Sequence, residues 1–350
     1  MKILFTAHSS VHPRQQIHYH AFSKFADVVV VMPRIWTIGL TPRDAQIVEG
    51  LKLKTYLLPT TNVNDWWTAF YFGFEQVLER EKPDWVLCYE EPLSTFTYQI
   101  YLLKERFKFK FLVFSWENLN YAISEPWCTF YRKVLLGCDL FQVGNKECLE
   151  LWKERVPEVS KKSFILAQSG INTEIFRPLD MKKEYDMIFL GNHIHPNKGC
   201  ALVDLAAKEL NLKLIDVGEG PYRFAFSSKS TGYGYYLDNP KYYNFARTAV
   251  AHSMDTPRWK EQFANFFSIE SIACGLPVVN SDTSAFKEFL EPLNGSCVFL
   301  TQQGNYELFK KNIKKALNVT KDEIKEGREF VKKNFSCEVI ANELIKNLRR

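Results

Sequence analysis

The segment EQFANFFSIESIACGLPVVNSD, residues 261–282, carries the strongest fold signal in the sequence. Helical spacing runs from Ser268 to Ala273, and Gly275 follows as a residue that ends a short helix. The apolar run PVVNSD then predicts a buried β-strand. Glu270 stands near the start of the helix, where a carboxylate can bind both hydroxyls of a ribose or simply complement the helix dipole.

Outward from this segment, short apolar runs alternate with helical stretches, the pattern of βαβ units around mainly parallel sheets. The first series of β-type runs comprises KILFTA, DVVVVMP, KLKTYLLP, DWVLCYE and KFKFLVFS, and the run LFQVG follows. The second series comprises YDMIFLGN, LKLIDVGEG, TAVAHS, PVVNSD and SCVFLT. The polar stretch INTEIFRPLDMKKEYD separates the two series and indicates a linker, with a boundary near Pro178.

These patterns predict an α/β protein with two Rossmann-like, doubly wound domains. At 350 residues the chain exceeds the size of one ordinary core, so two domains facing across a cleft are expected. We assign residues 1–177 to an N-terminal Rossmann-like domain and residues 178–334 to a C-terminal Rossmann-like domain. Residues 335–350 form a last helix that we expect to pack back on the N-terminal domain.

Composition excludes several classes of protein. Hydrophobic residues make up 46% and charged residues 24% of the chain, which is ordinary for a folded globular protein. A formal net charge of +5 gives no nucleic-acid signal. The 8 cysteines form no CxxC pair and no Cys/His cluster, which favours reduced thiols, no metal site and a cytoplasmic location. No apolar run approaches the ~20 residues of a spanning helix, so membrane contact is expected only from the surface.

An aromatic stretch lies in the first half of the chain. The sequence NDWWTAFYFGFEQVL, residues 64–78, predicts an aromatic helix. Its ring stripe favours a core position over a membrane anchor, and it can also line an acceptor groove, because aromatic faces stack on sugars.

Two glycine-containing loops follow strands in the second half. In IFLGNHIHPNKG, Gly191 comes directly after a strand, and Lys198 precedes the helical stretch CALVDLAAKEL. In LIDVGEGPYR, Gly218 and Gly220 follow another strand. Ligands gather at the carboxyl ends of strands in such folds, and free amides at helix starts bind phosphate. A single glycine after a strand is also typical of an ordinary turn, but two such loops in one domain favour a phosphate-bearing ligand.

The order of these motifs resembles the retaining GT-B glycosyltransferases of the glycogen-synthase and mannosyltransferase superfamily. The resemblance rests on QSGINTEIFRP, the strand-GN...PNKG loop, VGEGPYR and the EQF...ESIACGLPVVNSD block. It covers the second domain well and the first domain only in plan. It implies the GT-B fold and a nucleotide-sugar donor, UDP- or GDP-linked, with no further cofactor and no metal.

The resemblance assigns roles to individual residues. Glu270 corresponds to the second glutamate of the family pair and should bind the nucleotide ribose, and Lys198 corresponds to the lysine that binds the diphosphate. Backbone and side chains expected to line the donor pocket are those of Gly191, Asn192, Gly218, Gly220, Phe266, Phe267 and Ser268.

This sequence also departs from the family pattern. Asn192 replaces the family arginine, and His193 and His195 occupy a longer loop. In ungapped register the first acidic position falls on Gln262, which we favour as a neutral hydrogen-bonding contact to the sugar. An insertion within ANFF would place Glu261 there instead. Both alternatives stay open on the sequence alone.

The first half offers further candidates after its strands. The loop after the first strand lacks the family's paired glycines, and its alternatives are His8, Ser9, Ser10 and Arg14. After KFKFLVFS, Glu117 and Asn118 stand where relatives carry a histidine that faces the donor sugar, so Glu117 is included as a catalytic candidate. Glu90 and Glu91 end another strand, and adjacent strand residues face opposite ways.

The sequence thus predicts metal-independent transfer of a hexosyl group to a hydroxyl acceptor with retention, and it contains no Asp-x-Asp motif. The expected acceptor is a sugar, a lipid-linked compound or another small molecule. Alternatives are an inverting transferase, a GT-B sugar-nucleotide epimerase and a donor-binding protein without catalysis. An NAD-dependent dehydrogenase is disfavoured because no G-x-G-x-x-G follows the first strand.

Overall fold

The computed structural model describes residues 1–38, 41–193, 196–232, 236–263 and 266–350. Within these residues the chain forms two compact units, Met1–Gly170 with Cys337–Arg350, and Ile171–Ser336. The chain enters the second unit at Ile171, seven residues before the predicted boundary at Pro178. Ile171 already belongs to that unit because its amide donates to the carbonyl of Phe335 at 2.7 Å.

The first unit is built on a parallel sheet. In chain order it contains β1 (Lys2–Thr6), α1 (Pro13–Ala21), β2 (Asp27–Pro33), β3 (Ile35–Ile38), β4 (Thr41–Asp44), β5 (Lys54–Leu58), α2 (Phe74–Glu81), β6 (Trp85–Cys88), α3 (Thr95–Phe107), β7 (Lys110–Ser115), α4 (Trp127–Gly137), β8 (Leu140–Val143), α5 (Lys146–Arg155) and β9 (Ser163–Ile165). In the described part of this unit the strand order is β5-β2-β1-β6-β7-β8-β9, and β3 pairs with β4 in a separate antiparallel hairpin. The order reverses between β1 and β6, the point where ligands bind in open α/β sheets.

Helices return the chain between successive strands, so the strands run parallel. The same helices cover the sheet, and the apolar runs of its strands are therefore buried on both faces. Ile3, Leu4 and Phe5 in β1 are completely buried. Helices that return the chain begin at capping side chains: Ser94 accepts a hydrogen bond from the amide of Thr97, and Asn145 caps α5 in the same way.

The second unit repeats this plan. It contains β10 (Tyr185–Leu190), α6 (Cys200–Glu209), β11 (Leu214–Val217), β12 (Lys229–Thr231), α7 (Asn239–Phe245), β13 (Ala246–Val250), α8 (Phe266–Ala273), β14 (Val278–Ser281), α9 (Ser284–Leu290), β15 (Val298–Thr301), α10 (Tyr306–Ala316) and α11 (Lys321–Phe335). Among its described residues the strands are all parallel, in the order β12-β11-β10-β13-β14-β15. The order reverses between β10 and β13.

The helix predicted within residues 261–282 is present as α8. Gly275 ends it with a positive φ of 83°, and the amides of Gly275 and Leu276 close the last turn on Ile272 and Ser271, both at 2.9 Å. Only glycine adopts this backbone conformation without strain. Strand β14 follows at once, as the sequence predicts.

The aromatic helix predicted for residues 64–78 is wrong over most of its length. Helix α2 begins only at Phe74, after Gly73 with a φ of 84°. Asp65 holds the preceding residues in a turn, because its carboxylate accepts hydrogen bonds from the amide of Trp67 and the hydroxyl of Thr68. The hairpin β3–β4 and the edge strand β12 were not predicted either.

The last helix, α12 (Cys337–Leu348), belongs to the first unit and packs on α1. Lys24 and Glu338 form an ion pair beside this contact at 3.5 Å. In the part of the chain that the structure describes, no helix is both long enough and apolar enough to cross a membrane.

Candidate functional site

Two glycine loops meet at the carboxyl edge of the second sheet. The amide of Gly191, directly after β10, donates to the carbonyl of Val217 at 3.0 Å, and the amide of His193 donates to Glu219 at 2.9 Å. A Cβ atom on Gly218 would lie 1.9 Å from the carbonyl oxygen of Gly191. The structure therefore brings Gly191 and Gly218 into direct backbone contact. Asn192 is half-buried beside them, and Gly220 is buried.

Lys198 lies beyond the first of these loops, in the short 3-10 turn Pro196–Lys198. Its ammonium nitrogen is 2.7 Å from Oε1 of Glu261 and 4.9 Å from the ring centre of Trp259. The Lys198 side chain is 21% exposed and that of Glu261 only 7%. A cation is thus fixed at the switch point of the sheet, with one side still open to solvent.

Glu261 is itself held firmly. The hydroxyl of Ser253, which follows β13, donates to Glu261 Oε1 at 2.6 Å, and the amide of Glu261 donates to Asp255 at 2.9 Å. These contacts fix the carboxylate that orients Lys198. Sequence reasoning missed Ser253 and Trp259, because neither stands in a recognisable motif.

The geometry bears on the open choice between Gln262 and Glu261. Glu261, and not the favoured Gln262, is the residue whose side chain reaches Lys198. Gln262 is half-buried next to it. Of the ANFF stretch in which an insertion was considered, Ala264 and Asn265 lie outside the described residues, as does His195.

Glu270 is buried inside α8, where both of its carboxylate oxygens accept hydrogen bonds. The hydroxyl of Tyr236 donates to Oε1 at 2.9 Å, and that of Tyr243 donates to Oε2 at 2.7 Å. Burial and the adjacent carboxylate hold the pKa of Tyr243 well above its usual value, so this hydroxyl keeps its proton and remains a donor. No sequence motif predicted a role for either tyrosine.

The start of α8 is less open than predicted. Phe266 is half-buried, but Phe267 is buried with its ring 6.1 Å from Tyr243, between ring centres. Ser268 is completely buried, and its hydroxyl accepts a hydrogen bond from the side chain of Asn280 at 3.3 Å. The side chains of Phe267 and Ser268 therefore pack into the core and hold α8 in place.

His193 is buried against the second glycine loop. Its Nε2 atom is 2.7 Å from the place that a Cβ atom of Gly218 would take. Burial lowers the pKa of His193, and the nearby Asp216 opposes that shift only in part. The imidazole is therefore neutral near pH 7.

The switch point of the first sheet carries a histidine and a carboxylate. Glu90, after β6, is buried and accepts hydrogen bonds from both the amide and the ring of His8, with Nδ1 of His8 2.6 Å from Oε2. The His8 side chain is 28% exposed. With Nδ1 as the donor, Nε2 is left as an acceptor. This arrangement orients a potential base.

The rest of the loop after β1 lies inward. Ser10 is buried, and its hydroxyl is 3.1 Å from that of Tyr19. Ser9 is half-buried. Burial lowers the pKa of His12 to about 4, and the charge of Arg14 adds to this shift. Among these predicted candidates, His8 is the one whose ring is oriented by a buried carboxylate.

Glu91 points away from Glu90, as expected for adjacent residues. Its carboxylate accepts hydrogen bonds from the hydroxyl of Ser115 and from the amide of Trp116, the latter at 2.7 Å. Glu117 lies close by and accepts from the hydroxyl of Tyr121 at 2.8 Å. These groups gather at the carboxyl end of β7, and Asn118 beside them donates to Glu147 at 3.3 Å.

Glu91 should make the stability of the protein depend on pH. Burial, with the charge of Glu117 added, raises its pKa from 4.5 to about 8. Between these values the folded state keeps a proton that the unfolded state releases, so stability falls as pH rises through this window. We expect Glu91→Gln to remove ~1 kcal/mol of this loss per pH unit. Urea unfolding midpoints of wild type and Glu91→Gln between pH 5 and pH 8 measure this effect. If the midpoint changes equally with pH in the two proteins, the prediction is wrong.

No metal site is apparent in the described ranges, where no group of three His, Cys, Asp or Glu side chains converges. All eight cysteines are free, and seven of them are buried. The described candidate residues offer carboxylates, the ammonium of Lys198, the imidazole of His8 and backbone groups at strand ends.

No protein-family model matches the chain, and no curated protein sequence matches it. Solved structures do match it over its whole length, and they show that the chain has the GT-B fold, which confirms the fold class predicted from the sequence.

The particular structures are distant in sequence. The complex of Anabaena Alr3699/HepE with UDP-glucose is 13% identical, with a TM-score of 0.73 over 100% of this chain and 99% of that one. A glycosyltransferase of Rickettsia africae is 14% identical, with a TM-score of 0.71 over 99% and 97%. An alpha-glucosyltransferase in complex with UDP and a 13-mer DNA containing a HMU base is 12% identical, with a TM-score of 0.67 over 100% and 99%.

Proposed function

We propose that the protein is a glycosyltransferase that moves a hexosyl group from a nucleoside-diphosphate sugar to a hydroxyl acceptor, with retention and without a metal. The observation that carries the proposal is Lys198, an ammonium fixed by the buried Glu261 at the switch point of the second sheet. Ligands of open α/β sheets bind at that place. A fixed positive charge there suits a ligand that develops negative charge on its diphosphate.

Each group has a definite task in this proposal. Lys198 stabilises the charge that grows on the departing diphosphate as the bond between the sugar and the phosphate breaks, while Glu261 keeps the ammonium in place. Glu270 binds the ribose. The backbone of Gly191 and Gly218 allows the donor to approach closely, since neither carries a side chain. We place Glu117 beside the transferred sugar, because it stands where relatives carry a histidine that faces the donor sugar.

The similar structures support the choice of donor. HepE is described in complex with UDP-glucose, and the alpha-glucosyltransferase in complex with UDP. We therefore propose a uridine donor as the first to test, with GDP-sugars as the alternative. We also propose a cytoplasmic location, since all eight thiols are unpaired, as is usual in a reducing compartment.

The test measures two quantities, the release of nucleotide from the donor and the anomeric configuration of the product. Purified protein is incubated with UDP- and GDP-sugars and with sugar or lipid-linked acceptors, with and without EDTA. We expect nucleotide release that EDTA does not reduce, and a product with the anomeric configuration of the donor by proton NMR. Loss of release in EDTA would refute metal independence. Calorimetry that shows donor binding without hydrolysis or transfer would indicate a binding protein instead.

His8 and Glu90 favour a second candidate, inverting transfer. The carboxylate of Glu90 orients the imidazole, which leaves Nε2 as a general base. In that reaction Nε2 takes the proton of the acceptor hydroxyl, the hydroxyl oxygen bonds to the anomeric carbon, and the nucleoside diphosphate leaves with the electrons of the broken bond. A product of opposite configuration, together with loss of activity in His8→Ala, would establish this candidate.

A further inference from the structure

The carboxylate of Glu270 already binds two hydroxyl groups of the protein. Tyr236 donates to one oxygen at 2.9 Å and Tyr243 donates to the other at 2.7 Å. A nucleotide ribose also offers two neighbouring hydroxyls, and it offers them to this same residue in the proposed function. The pair of phenols therefore presents to Glu270 the hydrogen bonds that a ribose would supply.

The two tyrosines differ in their surroundings. Tyr243 is completely buried in α7, and its ring packs between those of Phe176 and Phe267, with ring centres at 6.2 and 6.1 Å. Tyr236 is half-buried in the 3-10 turn Tyr236–Asp238, with its ring centre 5.3 Å from that of Phe176. Tyr243 is therefore enclosed by the core, whereas Tyr236 is partly exposed to solvent.

We infer that the hydroxyl of Tyr236 occupies the position of a ribose hydroxyl on Glu270, so that nucleotide binding exchanges one for the other. Tyr243 stays in place and orients the carboxylate. The inference rests on the proposed function, because it takes Glu270 as the ribose-binding residue. Tyr236 is thus a specificity-determining residue that sets how tightly a ribonucleotide binds.

The exchange has a quantitative consequence. A hydrogen bond to a carboxylate is gained from the ribose, but a similar bond to Tyr236 is lost, so the net gain is small. A 2′-deoxy or 3′-deoxy nucleotide leaves Tyr236 in place at the position it fails to fill. Wild-type protein should therefore discriminate weakly against the deoxynucleotide. Without the Tyr236 hydroxyl, nothing in the exchange replaces the hydrogen bond to Glu270 that the deoxynucleotide fails to make, so the deoxynucleotide should bind more weakly than UDP.

Calorimetric titration with UDP, 2′-deoxy-UDP and 3′-deoxy-UDP tests the exchange. For wild type we expect dissociation constants within about threefold of one another, because one hydrogen bond replaces another. For Tyr236→Phe we expect tighter UDP binding and about tenfold discrimination against one of the deoxynucleotides, as a hydrogen bond to a charged group implies. Tyr243→Phe should weaken all three ligands, since it loosens the carboxylate.

Tyr242→Phe is the matched control, because Tyr242 is a half-buried tyrosine of the same helix as Tyr243. It should leave every dissociation constant unchanged. Equal discrimination by wild type and Tyr236→Phe would overturn the exchange while the proposed function stands. Wild-type protein that binds neither UDP nor GDP would overturn both, and circular dichroism confirms that each variant is folded.

Discussion

Lys198→Ala is expected to lower kcat at least ~100-fold, the usual effect of removing one preorganised group that stabilises transition-state charge. The variant removes the ammonium group that Glu261 holds at 2.7 Å, and with it the positive charge at this position. The loss should fall mainly on kcat, because in the proposed reaction the charge on the diphosphate grows as the bond to the sugar breaks. Steady-state kinetics measures the effect, with the donor that the incubation with UDP- and GDP-sugars identifies.

Two matched variants separate chemistry from folding. Lys241 also forms an ion pair in the second unit, with Asp238 at 2.8 Å, but both partners are well exposed. Lys241→Ala should therefore leave kcat unchanged. Lys198→Arg keeps the charge with a different shape, and we expect an intermediate rate. Equal rates for Lys198→Ala and wild type would remove Lys198 from the mechanism.

Gly218→Ala is expected to destabilise the second unit by about 2 kcal/mol, within the range for overpacked sites. The new methyl group would lie 1.9 Å from the carbonyl oxygen of Gly191 and 2.7 Å from Nε2 of His193. A backbone oxygen cannot turn aside as a flexible side chain can. The two strand-end loops must separate, so donor binding should be lost together with stability. Thermal unfolding and UDP titration measure the two effects.

Gly191→Ala provides the contrast, because among the described residues a Cβ atom at Gly191 meets only the ring of Phe189, at the ordinary distance of 3.8 Å. We expect its melting temperature to stay near that of wild type. If the two alanine variants unfold at the same temperature, the close approach of the loops is not what requires glycine at position 218.

The strands and the donor-side loops could be predicted from the sequence because their signals are local. DVVVVMP is a continuous apolar run and forms β2 from end to end, and the helix expected within residues 335–350 is present as α12, Cys337–Leu348. Gly275 predicts the end of α8, because few other residues adopt the positive φ that this helix end requires. A parallel sheet then places its strand ends together, which brings Gly191 and Gly218 into one site.

Features that depend on distant contacts, or on a local turn that competes with a helix, could not be predicted in this way. The turn at Asp65 prevents the aromatic stretch from forming the expected helix, although its ring spacing suits one. Glu261 and Gln262 are adjacent in sequence, and only their spatial relation to Lys198 distinguishes them. The tyrosines on Glu270 come from segments 34 and 27 residues away, which no motif connects to it.

The bond from the Ile171 amide to the Phe335 carbonyl, at 2.7 Å, means that the second unit begins and ends at one place. It is thus a nested insertion, with the rest of the chain contributed by both termini. Residues 171–336 should be expressible as an autonomous fragment that retains Lys198, Glu261 and Glu270, which we propose to bind the nucleotide. Joining Gly170 to Cys337 through a short linker should likewise yield a self-contained remainder, because domain insertions are tolerated where chain ends lie close together.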